Sequence, residues 1–128
     1  MLTFGVVVLG VTDPPRAEEF WCRAIGYRVS ERPFGGWPRP LIPPPGGVGP
    51  PIALQRSQTQ PPDHPRLHLD LHVHGVAEQE AEAIRLVSLG ARRVDWDSFP
   101  DDPDFIVLAD PDGNRFCIVD LDHESGSG

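Results

Sequence analysis

Ile25-Gly26-Tyr27-Arg28-Val29 and Leu89-Gly90-Ala91-Arg92-Arg93-Val94 are one junction written twice, with a single residue inserted in the second copy. In each, an apolar residue closes a helical pattern, Gly takes the conformation that ends a helix, and strand-forming residues follow. Upstream of the first junction, Ala17, Phe20, Trp21, Ala24 and Ile25 recur three and four apart, as one face of an α-helix requires. Asp13-Pro14-Pro15 opens that helix: Asp13 can cap free amides, and Pro14 sits at the first helical position, where its missing N–H costs nothing. Before it, Phe4 to Val11 is an apolar, β-branched run of strand length. The second junction has the same antecedents, a strand from Leu67 to Val73 and a helix from about Val76 to Leu89.

Each half then adds strands, Pro51 to Gln58 in the first and Phe105 to Ala109 with Arg115 to Leu121 in the second. Asp110-Pro111-Asp112-Gly113-Asn114 predicts a tight turn joining the last two as a hairpin, because Pro fixes φ while Gly or Asn accepts positive φ. The reading is an α+β domain over 1–122, one strand-helix-strands module over about 1–60, a second over about 65–122, and a flexible tail over 123–128. Pro33 to Pro51 holds one short strand near Leu41-Ile42 and is otherwise loop, since Pro is excluded from central ladders. It is either a surface connection or a lid carrying Phe34 and Trp37.

A net charge of -8 disfavours nucleic acid and anionic membranes, whose affinity rests on Lys and Arg. The start of the chain lacks a signal-peptide pattern, and Cys22 and Cys117 lack the spacing of a disulfide or zinc framework, so a cytoplasmic setting is expected.

Side chains alternate along a strand, which puts His68, Asp70 and His72 on one face and Leu67, Leu69, Leu71 and Val73 on the other. The leucine face belongs on the helices. The same parity groups Arg115 with Cys117 and Val119, and Gln55 with Ala53 and Ser57. His68 with Asp70 or His72 is a candidate general base; Gln55, Arg115 and Cys117 are candidate ligand contacts, with Trp37 and Trp96 as stacking partners. An open sheet showing its polar face to water predicts the same alternation. Cys117 reads as a packing residue more than a nucleophile, and His64, His74 and His123 as solvent-exposed. His-x-Asp or His-x-His can aim two ligands at one ion, with no third strong ligand in the obvious places.

The strand leading into Thr12-Asp13-Pro14, the helix with Phe20-Trp21 and Ile25-Gly26-Tyr27, the Leu89-Gly90-Ala91 step and Asp110-Pro111-Asp112-Gly113-Asn114 together resemble the glyoxalase/bleomycin-resistance/extradiol-dioxygenase group, the vicinal oxygen chelate superfamily. His68-Leu69-Asp70-Leu71 and Asn114-Arg115-Phe116-Cys117 look closest to the small glyoxalase-like proteins of actinobacteria. The resemblance implies two βαβββ modules with curled mixed sheets forming a cup, usually in a homodimer, and a divalent metal at positions that fall here on about Val6, Gln55, His68 and Cys117. Val6 cannot ligate and Cys117 stands where Glu is expected, so no metal and no cofactor is expected, and neither glyoxalase I nor dioxygenase chemistry. Two functions remain: a metal-independent isomerase, lyase or cyclase acting on a carbonyl-containing or polyketide-like molecule, and a non-catalytic protein that sequesters a drug or metabolite.

Overall fold

The computed structural model describes residues 1–124 of the 128. The chain divides into two compact units, Met1–Gln60 and Pro61–Gly128. Of the tail expected over 123–128, residues 125–128 lie outside the described residues; His123 is tied down, its N–H donating to Asp120 O at 3.3 Å.

The first unit runs β1 (Val7–Val11), α1 (Pro14–Ile25), β2 (Arg28–Val29), β3 (Leu41–Ile42) and β4 (Ile52–Arg56). The sheet order is β1-β4-β3-β2, with β1 and β4 parallel and the other pairs antiparallel. The Asp13 carboxylate accepts from Arg16 N at 3.2 Å and so caps α1. Gly26, at φ +72°, ends it in the left-handed conformation. Ala17, Phe20, Trp21 and Ala24 form its buried stripe, and the Phe20 and Trp21 rings meet edge to face at 5.1 Å. The first strand is shorter than expected, beginning at Val7, with Leu2 and Phe4 exposed. Pro33 to Pro51 holds more order than its composition predicts. Phe34 and Trp37 exchange both backbone hydrogen bonds at 2.9 Å around Gly35 and Gly36, whose positive φ angles (58° and 86°) suit a two-residue turn.

The second unit repeats the order: β5 (Leu69–Val73), α2 (Val76–Ser88), β6 (Arg92–Arg93), β7 (Phe105–Ala109) and β8 (Arg115–Asp120). Its sheet order is β5-β8-β7-β6, with β5 parallel to β8. Each unit is therefore a βαβββ module. Helix α2 lacks a side-chain cap at Gly75, and the buried Asp120 carboxylate instead accepts the Gly75 N–H at 2.7 Å, anchoring the helix start to β8. Gln79 adds a second tie, its amide donating to Ile118 O at 2.9 Å. The β7–β8 hairpin turns as expected: buried Asp110 accepts from Asp112 N and Asn114 N at 3.0 and 2.8 Å, and Gly113 sits at φ +90°.

β5 begins two residues later than the Leu67 start expected. Arg66 and Leu67 form a bend, and Leu67 is 78% exposed, so it takes no part in the leucine face against the helix. Val73 is buried at the far end of that face, while Leu69 and Leu71 are half-buried.

Candidate functional site

The hairpin and the parallel strand beside it place the site. Asp70 pairs with Cys117 in the β5–β8 register, and Cys117 pairs with Val107 across β8–β7, so three side chains form one row on one face of the sheet. A concavity of about 490 Å³ opens over this row, with Trp96, Phe105 and Val119 among its apolar walls and His68, Asp70 and Arg115 among its polar ones. His68 immediately precedes β5, and its Nε2 lies 3.0 Å from Asp70 Oδ1, with the two side chains 43% and 48% exposed. A neutral imidazole donating Nε2–H to that carboxylate leaves Nδ1 as a proton acceptor, and the carboxylate steadies the imidazolium that forms.

Arg115 is the most enclosed cation here, its side chain only 12% exposed. Its Nη2 donates to Asp63 at 3.1 Å, whereas Nη1 is buried without a hydrogen-bond partner. Burial, then the charge and hydrogen bond of Asp70, push the Cys117 thiol up to about 11. At neutral pH it is protonated, which disfavours a nucleophilic role.

Of the residues singled out from sequence, His68, Asp70, Trp96, Arg115 and Cys117 all line this concavity. His72 lies in register with Val119 but is exposed and is not among the lining residues. Gln55 is an exposed residue of β4 in register with Gly10, and Trp37 is half-buried beside the Gly35-Gly36 turn; both belong to the first unit.

His64 is exposed as expected, and it also joins the rim of the concavity. Its ring meets that of Trp96 at a tilt of 41° with centroids 4.7 Å apart, and its Nε2 lies 2.8 Å from Asp97 Oδ1. That hydrogen bond holds the Asp97 carboxyl below its ordinary value. No local pattern signals this pairing, because the partners are far apart in sequence. Nor did Ser98 and Asp104, also in the lining, carry a motif. His74 is exposed as expected, its Nδ1 2.8 Å from Asp122 Oδ1. His123 is less exposed than expected, its Nε2 3.2 Å from Asp102 Oδ2.

A family model described as a glyoxalase-like domain matches residues 6–119. The chain belongs to the glyoxalase-like domain family. No curated protein is significantly similar to it in sequence. Solved structures with the same fold include a glyoxalase-related enzyme from Fulvimarina pelagi, 20% identical with a TM-score of 0.65, the match covering 93% of this chain and 88% of that one. The antibiotic-binding protein TnmS3 from a Streptomyces species is 23% identical with a TM-score of 0.61, over 94% of this chain and 96% of that one. FosX, a fosfomycin resistance protein from Listeria monocytogenes, is 13% identical with a TM-score of 0.68, over 93% and 91%.

This glyoxalase-like chain does not offer the metal set that the superfamily resemblance implies. Val6 presents only hydrocarbon and Gln55 a neutral amide, a combination that does not fit a divalent cation. The second unit nonetheless supplies the third strong donor that the sequence reading lacked: donor atoms of His68, Asp70 and Cys117 all lie within 4.8 Å of one another.

Proposed function

We propose that this glyoxalase-like protein takes a small organic molecule, apolar over one face and oxygenated at one end, into the concavity of its second unit. There the His68–Asp70 pair moves a proton on it without a metal, in an isomerase, lyase or cyclase type of step. The observation that carries this reading is the 3.0 Å pairing of His68 with Asp70 at a recess walled by Trp96 and Phe105. His68 Nδ1 would take a proton from carbon beside a carbonyl and return it to another atom of the same molecule, a contribution of roughly 10²–10⁴ in rate. The Arg115 guanidinium holds positive charge against the oxygen on which negative charge develops. Cys117, kept protonated, contributes packing and a weak donor.

A second reading is sequestration of a drug or metabolite without turnover. The open, largely apolar concavity favours it, as does fold likeness to an antibiotic-binding protein. Crystals soaked in a microbial metabolite mixture would test both. Density is expected between Trp96 and His68, and the molecule so identified should be converted by the native protein and not by His68→Ala. Tight binding without conversion would favour sequestration, whereas density confined to another surface would overturn both readings.

The same proposal has the chain acting as a cytoplasmic homodimer. The outer edge of β5 is unpaired within its own sheet, as is that of β1, and free edges are commonly covered by assembly. Two free cysteines suit a reducing compartment. No described helix is long and apolar enough to cross a membrane. Light scattering reporting only a 14.1 kDa particle would contradict the dimer.

A further inference from the structure

We propose that the molecule taken into the concavity is a monocarboxylate, and that Asp63 is a built-in stand-in which its carboxylate displaces from Arg115. This deepens the ligand reading above and rests on it. Arg115 lines the concavity from β8 with its side chain 12% exposed, and a guanidinium so enclosed ordinarily has its N–H groups matched by acceptors. Here its side chain makes one described hydrogen bond, from Nη2 to Asp63 Oδ1 at 3.1 Å, while Nη1 is buried without a partner. A planar guanidinium fits a carboxylate through two parallel bonds of about 2.7–2.9 Å, so a single longer bond leaves much of its binding capacity unused.

Asp63 is also the partner that can leave. Its side chain is 83% exposed, so water takes over its hydrogen bonds when it turns away, and it stands outside the lining, so its departure removes no wall. The backbone need not follow. Pro61 lies against Gly113 of the β7–β8 turn, where a Cβ added to Gly113 would come within 2.9 Å of it, and His64 is held by Trp96 and Asp97. The strap is thus fixed on both sides of an acidic side chain that rotates.

Neighbouring charges limit the ligand to one negative charge. Asp70 is paired with His68, but the Asp104 carboxylate, also in the lining, has no partner among the described residues and repels a second anionic group. A carboxylate that replaces Asp63 leaves the charge around Arg115 unchanged. A neutral molecule brings no charge to compete for the guanidinium, and an ammonium meets it as a like charge. With Trp96 and Phe105 as apolar walls, the class is a monocarboxylate carrying an apolar ring.

The test is calorimetric titration of the full-length protein with three probes that share one ring system: naphthoate, naphthalenemethanol and naphthylmethylammonium. Naphthoate is expected to bind at least tenfold more tightly than either of the others, about 1.4 kcal/mol. Asp63→Asn should tighten naphthoate severalfold and leave the alcohol unchanged, whereas Arg115→Met should abolish the naphthoate advantage while the alcohol still binds. Equal affinities for the three probes, a naphthoate advantage that survives Arg115→Met, or naphthoate not tightened by Asp63→Asn would overturn the assignment and leave the concavity a ligand site. Asp63→Asn changes an exposed residue and decides the matter even where Arg115→Met does not fold. Absence of binding by all three probes would overturn this proposal together with the ligand reading beneath it.

Discussion

Asp70 and Cys117 are register partners in adjacent parallel strands, so a carboxylate and a thiol share one row of the second-unit sheet. Burial and the neighbouring carboxylate both disfavour the thiolate and push the thiol up to about 11. A thiol whose folded pKa is raised favours the folded state fully below its ordinary value of 9.0 and loses that contribution as pH climbs toward 11. In a Cys22→Ser background, alkylation of Cys117 at about pH 7–8 should therefore be far slower than that of a cysteine peptide. Peptide-like reactivity in mass spectrometry would show that burial and Asp70 do not hold the thiol protonated.

His68→Ala should act locally. The side chain is half exposed and opens no sealed core, so urea denaturation should show a loss well below the roughly 2–5 kcal/mol of a large core truncation. Affinity or turnover for the molecule identified by soaking should fall at least tenfold, about 1.4 kcal/mol. Unfolding of the variant with unchanged affinity in its folded fraction would make His68 a structural histidine.

Arg115 and Asp63 divide affinity from stability. Asp63 is exposed and holds one edge of a guanidinium that is otherwise short of partners. An exposed carboxylate contributes about 0–1 kcal/mol to stability, so Asp63→Asn should barely move the denaturation midpoint. Freed of that competitor, Arg115 should bind an anionic aromatic probe such as anilinonaphthalene sulfonate more tightly, and Arg115→Met should bind it at least tenfold more weakly. Equal affinities across the three proteins, read by tryptophan quenching, would exclude Arg115 from ligand contact.

The His74–Asp122 pair gives a pH dependence with a definite sign. Its hydrogen bond and the charge of Asp122 raise the His74 pKa above its ordinary 6.5. The contribution to stability is therefore fully present below about pH 6.5 and is lost as pH rises through the raised folded value. Full exposure makes it sensitive to salt. Denaturation midpoints measured from about pH 5 to 9 should fall less steeply in His74→Asn than in the parent; identical slopes would remove the pair from the balance.

Trp21→Ala tests the first unit. Trp21 is 1% exposed and its ring packs edge to face with Phe20. Removing the indole should cost about 3–5 kcal/mol by urea denaturation, a large share of a marginal total. A loss under about 1 kcal/mol would mean that the α1 stripe is not a core.

The elements were legible in the sequence because their causes are local. The three-and-four spacing from Ala17 to Ile25, the Asp13 cap, the Gly26 stop and the Asp110–Asn114 turn each act within a few residues, and each lies where its chemistry requires. Alternation likewise put Asp70 on the open face and Val73 on the buried one. The strand start at Leu69 was not legible, since Leu67 has the right hydrophobicity but gains no partner in the ladder.

The sequence by itself thus determined two βαβββ modules and most of the polar groups of the site. Only the tertiary structure decided which of those groups meet. Cys117 beside Asp70, Arg115 on Asp63 and His64 against Trp96 all join residues more than thirty positions apart. Such meetings are set by strand register and loop closure, which depend on the packing of the whole sheet, and no short window of residues records them.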